Sequence, residues 1–129
     1  DHLNRIKLAD LFLDTLPYNA HATTSDALQV GLPVLTLIGE SFASRVAASL
    51  INSMKLPELI TTTEEGYEEL AIKLATDPKK LKEIKDKLNK NLATSPLYNT
   101  PLYTQQLESS YIKMYENYQQ GLKPGDIYV

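Results

Sequence analysis

Two short apolar runs, Leu11-Phe12-Leu13 and Val34-Leu35-Thr36-Leu37-Ile38, enclose the polar stretch Asn19-Ala20-His21-Ala22-Thr23-Thr24-Ser25-Asp26. The runs are too short for helices, and their branched and aromatic residues suit buried strands. The second, nearly continuous from residue 32 to 38, reads as a parallel strand covered on both faces. Between them the sequence predicts a helix. Thr23 or Thr24 is its N-cap, accepting a hydrogen bond from the free amides of the first turn, and Asp26 adds favourable charge there. Gly31, tolerant of positive φ, ends the helix, and Pro33 bars its continuation.

Outward from this unit, residues 3–8 read as the end of a short helix. The first strand covers about residues 9–13, and Pro17, Tyr18 and Asn19 form the loop that follows. A second helix over 41–54 carries Ala43, Ala47 and Ala48, small enough to lie close to a sheet, and Leu59-Ile60 reads as a brief third strand. The β-α-β-α-β rhythm predicts an α/β fold: half of a doubly wound, Rossmann-like parallel sheet, followed by C-terminal helices. One helix is expected over 63–77, with Tyr67, Leu70, Ala71 and Leu74 on one side, and another from Pro78 to Leu92. Residues 95–101 interrupt the pattern, with Asn99 and Thr100 shaping a turn. A last helix over 104–120 stops at Gly121 and presents Leu107, Tyr111, Met114, Tyr115 and Tyr118 as a packing stripe, for this chain or for a lobe outside it. The expected organisation is one lobe over 1–129, with an α/β core at 1–61 and a helical extension at 62–129.

The 129 residues suffice for one core, and the 43% apolar content supports a folded globule. A net charge of -3 argues against a nucleic-acid or anionic-membrane surface, which needs a positive field. Lysines cluster between residues 79 and 90, but Glu83 and Asp86 interleave with them, as on a solvated helix face. With no cysteine, disulfides and thiolate metal sites are excluded, and two histidines cannot make a His-only zinc site. No apolar run approaches the roughly 18–20 residues that span a bilayer. No signal peptide is recognisable, so a cytoplasmic protein is expected. The opening Asp1-His2-Leu3-Asn4-Arg5 lacks a methionine and begins in mid-pattern, as expected of a piece of a longer chain.

In an open α/β sheet, ligands sit beyond the carboxyl ends of the strands, where helix amides carry partial positive charge. A diphosphate there can accept from the amides of residues 22–24 and the Thr23 hydroxyl, with His21 donating from its ring. Asp26 can accept from a ribose diol. The same residues also fit a bland role, Thr and Asp as a helix cap and His21 bonded to a loop carbonyl.

Several separate motifs turn the balance. Leu13-Asp14-Thr15, Pro17-Tyr18-Asn19-Ala20-His21, Ser25-Asp26-Ala27-Leu28, Gly31-Leu32-Pro33-Val34-Leu35-Thr36, Gly39-Glu40-Ser41-Phe42-Ala43-Ser44-Arg45-Val46-Ala47-Ala48-Ser49 and Ser95-Pro96-Leu97-Tyr98-Asn99-Thr100 together resemble the carboxy-terminal catalytic half of O-GlcNAc transferases, especially their bacterial tetratricopeptide-linked relatives. The resemblance implies the nucleotide-sugar-binding lobe of a two-lobed, B-type glycosyltransferase. It would transfer a sugar, GlcNAc by the family's habit, from a UDP-sugar to protein Ser/Thr hydroxyls, without metal or other cofactor. By the same resemblance His21, Ala22 and Thr23 surround the diphosphate, Asp26 holds the ribose, and His2 and Arg5 lie against the uracil. The family usually reads His-Thr-Thr where this chain has His21-Ala22-Thr23, so one hydroxyl is lost while its amide remains. Tryptophan is frequent in the relatives at the position of Gln29.

The family's phosphate-neutralising lysine and acceptor-side groups belong to sequence before residue 1. No residue here is therefore assigned a catalytic role, and the fragment alone is expected to be inactive. Its implied partners are the UDP-sugar, an acceptor protein, the missing amino-terminal lobe and tetratricopeptide repeats. Glu40 and Arg45 are expected to order the crevice as an ion pair or cap, and Asp10 and Asp14 to serve the loops around the first strand. Two alternatives stand: a related transferase with another sugar nucleotide or an Asn acceptor, and a nucleotide-free interaction module.

Overall fold

Val34–Leu37 forms the middle strand, β2, of a three-stranded parallel sheet in the order β1-β2-β3, with β1 at Phe12–Leu13 and β3 at Ile60–Thr61. The structure, a computed structural model, describes residues 2–129. The two edge strands use different halves of β2. Phe12 and Leu13 align with Val34 and Leu35, whereas Ile60 and Thr61 align with Thr36 and Leu37. Parallel neighbours need crossovers, and helices supply them: α2 (Ala22–Gln29) between β1 and β2, and α3 (Val46–Ser53) between β2 and β3. The α/β expectation is met.

The strands are shorter than the apolar runs suggested. β1 starts at Phe12 rather than near residue 9, and Asp14, just beyond it, is already turned inward to the loop. The third strand falls one residue late because Pro57–Leu59 winds into a 3-10 turn, with the Leu59 amide bonded to Leu56 O at 3.0 Å. The expected helix over 41–54 is split. Ser41 caps a 3-10 turn at Phe42–Ser44, its hydroxyl accepting from the Ser44 amide, and only then does α3 begin.

Leu28 of α2, Leu35 of β2, Ile51 of α3, and Leu56 and Leu59 are fully buried. Each such side chain contributes about 1.5–3 kcal/mol on leaving water. α4 (Glu64–Thr76), capped by the Thr63 hydroxyl, and α5 (Pro78–Leu92), capped by Asp77 with Pro78 in its first turn, add Leu74, Ile84 and Leu88 to this core. One compact unit runs to Ser95, with α4 packed on β2 and β3 and α5 packed on α4. The Lys85 ammonium lies 2.7 Å from Asp10 and holds that exposed carboxyl below its ordinary range.

Pro96–Val129 is a second compact unit. It contains a 3-10 turn at Pro96–Tyr98 and α6 (Thr100–Gln119). The helix starts four residues earlier than expected because Asn99 Oδ1 accepts from the Leu102 amide and Pro101 fits its first turn. Its apolar stripe was expected to pack, the missing amino-terminal lobe being one surface for it, and within this chain it is uncovered. No residue of α6 is buried, and Tyr111, Met114, Tyr115 and Tyr118 are exposed. In the same unit Lys113 Nζ donates to the Tyr128 carbonyl.

Candidate functional site

Asp14 organises the loop between β1 and α2. Its side chain, 4% exposed, accepts from the Thr15 amide at 2.9 Å and the Ala20 amide at 2.7 Å through Oδ1. Through Oδ2 it accepts from the Thr36 hydroxyl of β2 at 2.6 Å. The Tyr67 hydroxyl of α4 donates to the Asp14 carbonyl at 2.9 Å. Asn19, fully buried, bonds Thr15 O through its side chain and Ala43 O through its amide. The loop, which contains a cis Leu16–Pro17 peptide, is thus tied to β2, α4 and the segment after β2.

The loop delivers the first turn of α2 with its amides unspent. No side chain caps that start. Thr23 and Thr24 lie inside the first turn, not at its cap, because Ala22 is already helical. The Thr24 hydroxyl is buried and donates back to Ala20 O at 2.7 Å. The leading amides of a helix have no intrahelical acceptor, so residues 22–24 offer donors where the dipole is positive. Ala22 and Thr23 are exposed at this point.

His21 immediately precedes the turn, half-buried. Its ring stacks on Tyr18 with centroids 4.9 Å apart and meets Phe42 edge-on at 6.2 Å. Nε2 stands 3.4 Å from Ala43 O, the loop-carbonyl contact foreseen for the bland role. With Nε2 engaged there, Nδ1 is the second ring nitrogen for another partner. His2 and Arg5, on α1 (His2–Ile6), meet α2 one turn further along, at Asp26. His2 Nε2 is 3.4 Å from Asp26 Oδ2, and Arg5 reaches His2 Nδ1 at 3.4 Å. Two groupings therefore lie along the start of one helix, His21 with residues 22–23 and, one turn on, His2 with Arg5 and Asp26.

A cleft of about 680 Å³ opens beyond the carboxyl ends of the strands, lined by Leu16, Leu37, Gly39, Glu40, Thr62 and Glu64 among others. Glu40 and Arg45 do not pair: Arg45 bonds Gly39 O at 3.0 Å, while Glu40 is exposed at the cleft wall. Among the described residues no group of three or more His, Asp or Glu could hold a metal, and no helix is long and apolar enough to cross a membrane.

Sequence reasoning undervalued Asp14, Thr36 and Tyr67. The usable signal was an acid at the end of an apolar strand, since a carboxylate carried into a core must find donors.

Residues 1–107 match the profile of Glycosyl transferase family 41. The chain is 38% identical over 124 residues to a probable UDP-N-acetylglucosamine–peptide N-acetylglucosaminyltransferase SPINDLY of Petunia hybrida. It is equally identical over 125 residues to the SEC protein of that description from Arabidopsis thaliana. Each alignment covers 96% of this chain and 13% of the relative, so the chain spans a small part of those proteins. A solved mutant O-GlcNAc transferase of Thermobaculum terrenum superposes with a TM-score of 0.83 at 33% identity, over 94% of this chain and 23% of that one.

Proposed function

The chain belongs to glycosyl transferase family 41, and from that premise we propose that it is the donor-binding part of an enzyme that moves a sugar from a UDP-sugar to protein Ser/Thr hydroxyls. GlcNAc is the sugar favoured by the names of the relatives. The observation that carries the reading is the uncapped first turn of α2, exposed at Ala22 and Thr23 and reached directly from the carboxyl end of β1.

The diphosphate accepts hydrogen bonds from the amides of residues 22–24 and from the Thr23 hydroxyl. His21, steadied between Tyr18 and Phe42, closes one side. One turn on, Asp26 accepts from the ribose, and His2 and Arg5 lie against the uracil. In transfer, the acceptor oxygen forms a bond to the anomeric carbon as the bond from that carbon to the β-phosphate oxygen breaks. Charge then grows on the departing UDP. Donors already aimed at it stabilise that charge without reorganising, and stabilisation of this kind is among the largest contributions to catalysis. This chain's share of the chemistry is that stabilisation, with no metal in the scheme. The base for the acceptor proton and a phosphate-neutralising lysine are assigned to sequence before residue 1, in a cytoplasmic, tetratricopeptide-linked parent. Alone, the 129 residues bind UDP weakly, in a salt-sensitive way, and do not turn over.

UDP added to the ¹⁵N-labelled chain should move amide resonances at residues 20–27, less so in rising salt and in Asp26→Ala. A spectrum unmoved by millimolar UDP at low salt overturns the reading and leaves a nucleotide-free interaction module.

A further inference from the structure

We infer that Asp14 is a positioning residue of the donor site, holding the β1–α2 loop so that the first turn of α2 stands open to the diphosphate. The inference rests on the donor-site reading and adds a residue that need not touch the ligand. Three contacts carry it. Oδ1 gathers the amides of Thr15 and Ala20, the two ends of the loop, and Oδ2 takes the hydroxyl of Thr36 in β2. Ala20 is followed at once by His21 and the turn, and its carbonyl accepts from the Thr24 hydroxyl within that turn. One carboxylate therefore fixes the turn relative to the middle strand.

A side chain 4% exposed with these three donors has no face left for a ligand, so its influence on UDP runs through the loop. Removing it leaves two part-buried amides and the buried Thr36 hydroxyl without this acceptor, and frees the loop to shift toward water. Asparagine keeps the oxygen that serves both amides. Its Nδ2 replaces Oδ2, and the Thr36 hydroxyl can rotate to accept from it.

The test compares the wild-type chain with Asp14→Ala, Asp14→Asn and Thr36→Val by UDP titration, observing amide resonances below each variant's melting temperature. Asp14→Ala is expected to weaken UDP binding by about tenfold or more, with shifts and faster hydrogen exchange at residues 15–24 before UDP is added. Asp14→Asn should recover most of the affinity. Thr36→Val, which cuts the strand tether alone, should fall between. Should Asp14→Ala fail to fold, Thr36→Val bears the decision: weaker binding with residues 15–24 displaced supports positioning, and wild-type affinity overturns it.

Equal losses in Asp14→Asn and Asp14→Ala, with the loop resonances in place, overturn positioning in favour of a direct charge effect. If the wild-type chain ignores UDP, the donor reading fails by itself. The positioning role is then judged from unliganded shifts and exchange at residues 20–24, upheld if Asp14→Ala disturbs them and overturned if it does not.

Discussion

The His2 imidazole lies 3.4 Å from the Asp26 carboxylate, which joins α1 to α2 beside the open helix start. Both side chains are substantially exposed, at 51% and 38%, so their attraction is screened and contributes about 0–1 kcal/mol to stability. Asp26→Ala should therefore barely move the unfolding midpoint. Its effect should appear in the ribose. Wild type is expected to bind UDP about tenfold more tightly than 2′-deoxy-UDP, as for loss of a hydrogen bond to a charged acceptor. In Asp26→Ala the ratio should fall toward one. A ratio that survives the substitution in parallel titrations would take the ribose away from Asp26.

Tyr67 links stability to alkaline pH. Burial first, and the nearby Asp14 charge second, raise its phenol above the ordinary 10.0. The folded state therefore keeps a proton that the unfolded chain gives up. This contribution is complete below pH 10 and is lost as pH rises through the higher folded value. Tyr67→Phe removes it together with the 2.9 Å bond to Asp14 O. The variant should be about 1 kcal/mol less stable near pH 7. Above pH 10 the gap should narrow, in urea unfolding followed by circular dichroism. A gap that widens with pH would mean that the folded state releases the proton more readily than the unfolded chain.

Gly39 is required by space. A Cβ built there would stand 2.4 Å from Ser44 Oγ and 2.8 Å from Ser44 Cβ. The Gly39 amide also bonds Ser44 O at 2.9 Å, so neither residue can retreat without opening the 3-10 turn that closes the cleft wall. Gly39→Ala is expected to cost about 1–3 kcal/mol, as overpacking does. Adding Ser44→Gly should return part of the loss, a coupling that a double-mutant cycle reads directly. Additive losses would mean that the contact is relieved elsewhere.

Much of this was legible because it is local. Apolar runs fixed the existence and order of the strands, Gly31 and Gly121 marked two helix ends, and Pro78 opened α5 where expected. Helix starts were less legible. The hydroxyls at 23 and 24 suggested a cap, yet the residue before α2 is His21, and Thr24 is turned back on Ala20. The loop's true organiser acts over distance: Asp14 meets Thr36 and Tyr67, 22 and 53 residues away, and no spacing rule announces such partners. The grouping of His2 with Asp26 came from the family resemblance, since residues on separate helices share no periodicity.

One helix end lacks the glycine that marks the others, and that yields its own prediction. α2, α3 and α6 all finish alike, with crossed amide bonds from the two residues after the cap. Gly31 to Leu28 and Leu32 to Ala27 close α2, and Lys55 to Asn52 and Leu56 to Ile51 close α3. Gly121 to Tyr118 and Leu122 to Asn117 close α6. Such an ending needs positive φ at the first of the two. Glycine supplies it at Gly31 and Gly121, whereas in α3 Lys55 is held at φ 56. A side chain in that region costs about 1–2 kcal/mol, offset in part by the extra freedom glycine gives the unfolded chain, about 0.4–1 kcal/mol. Lys55→Gly should accordingly stabilise the fold by about 0.5–1 kcal/mol. Gly31→Ala at the matching position should destabilise it by a similar amount or more, because its new Cβ would also approach Asn89 Oδ1 to 2.6 Å. Urea midpoints should move in opposite directions with unchanged slopes. Shifts of the same sign would mean that the two helix ends are not equivalent.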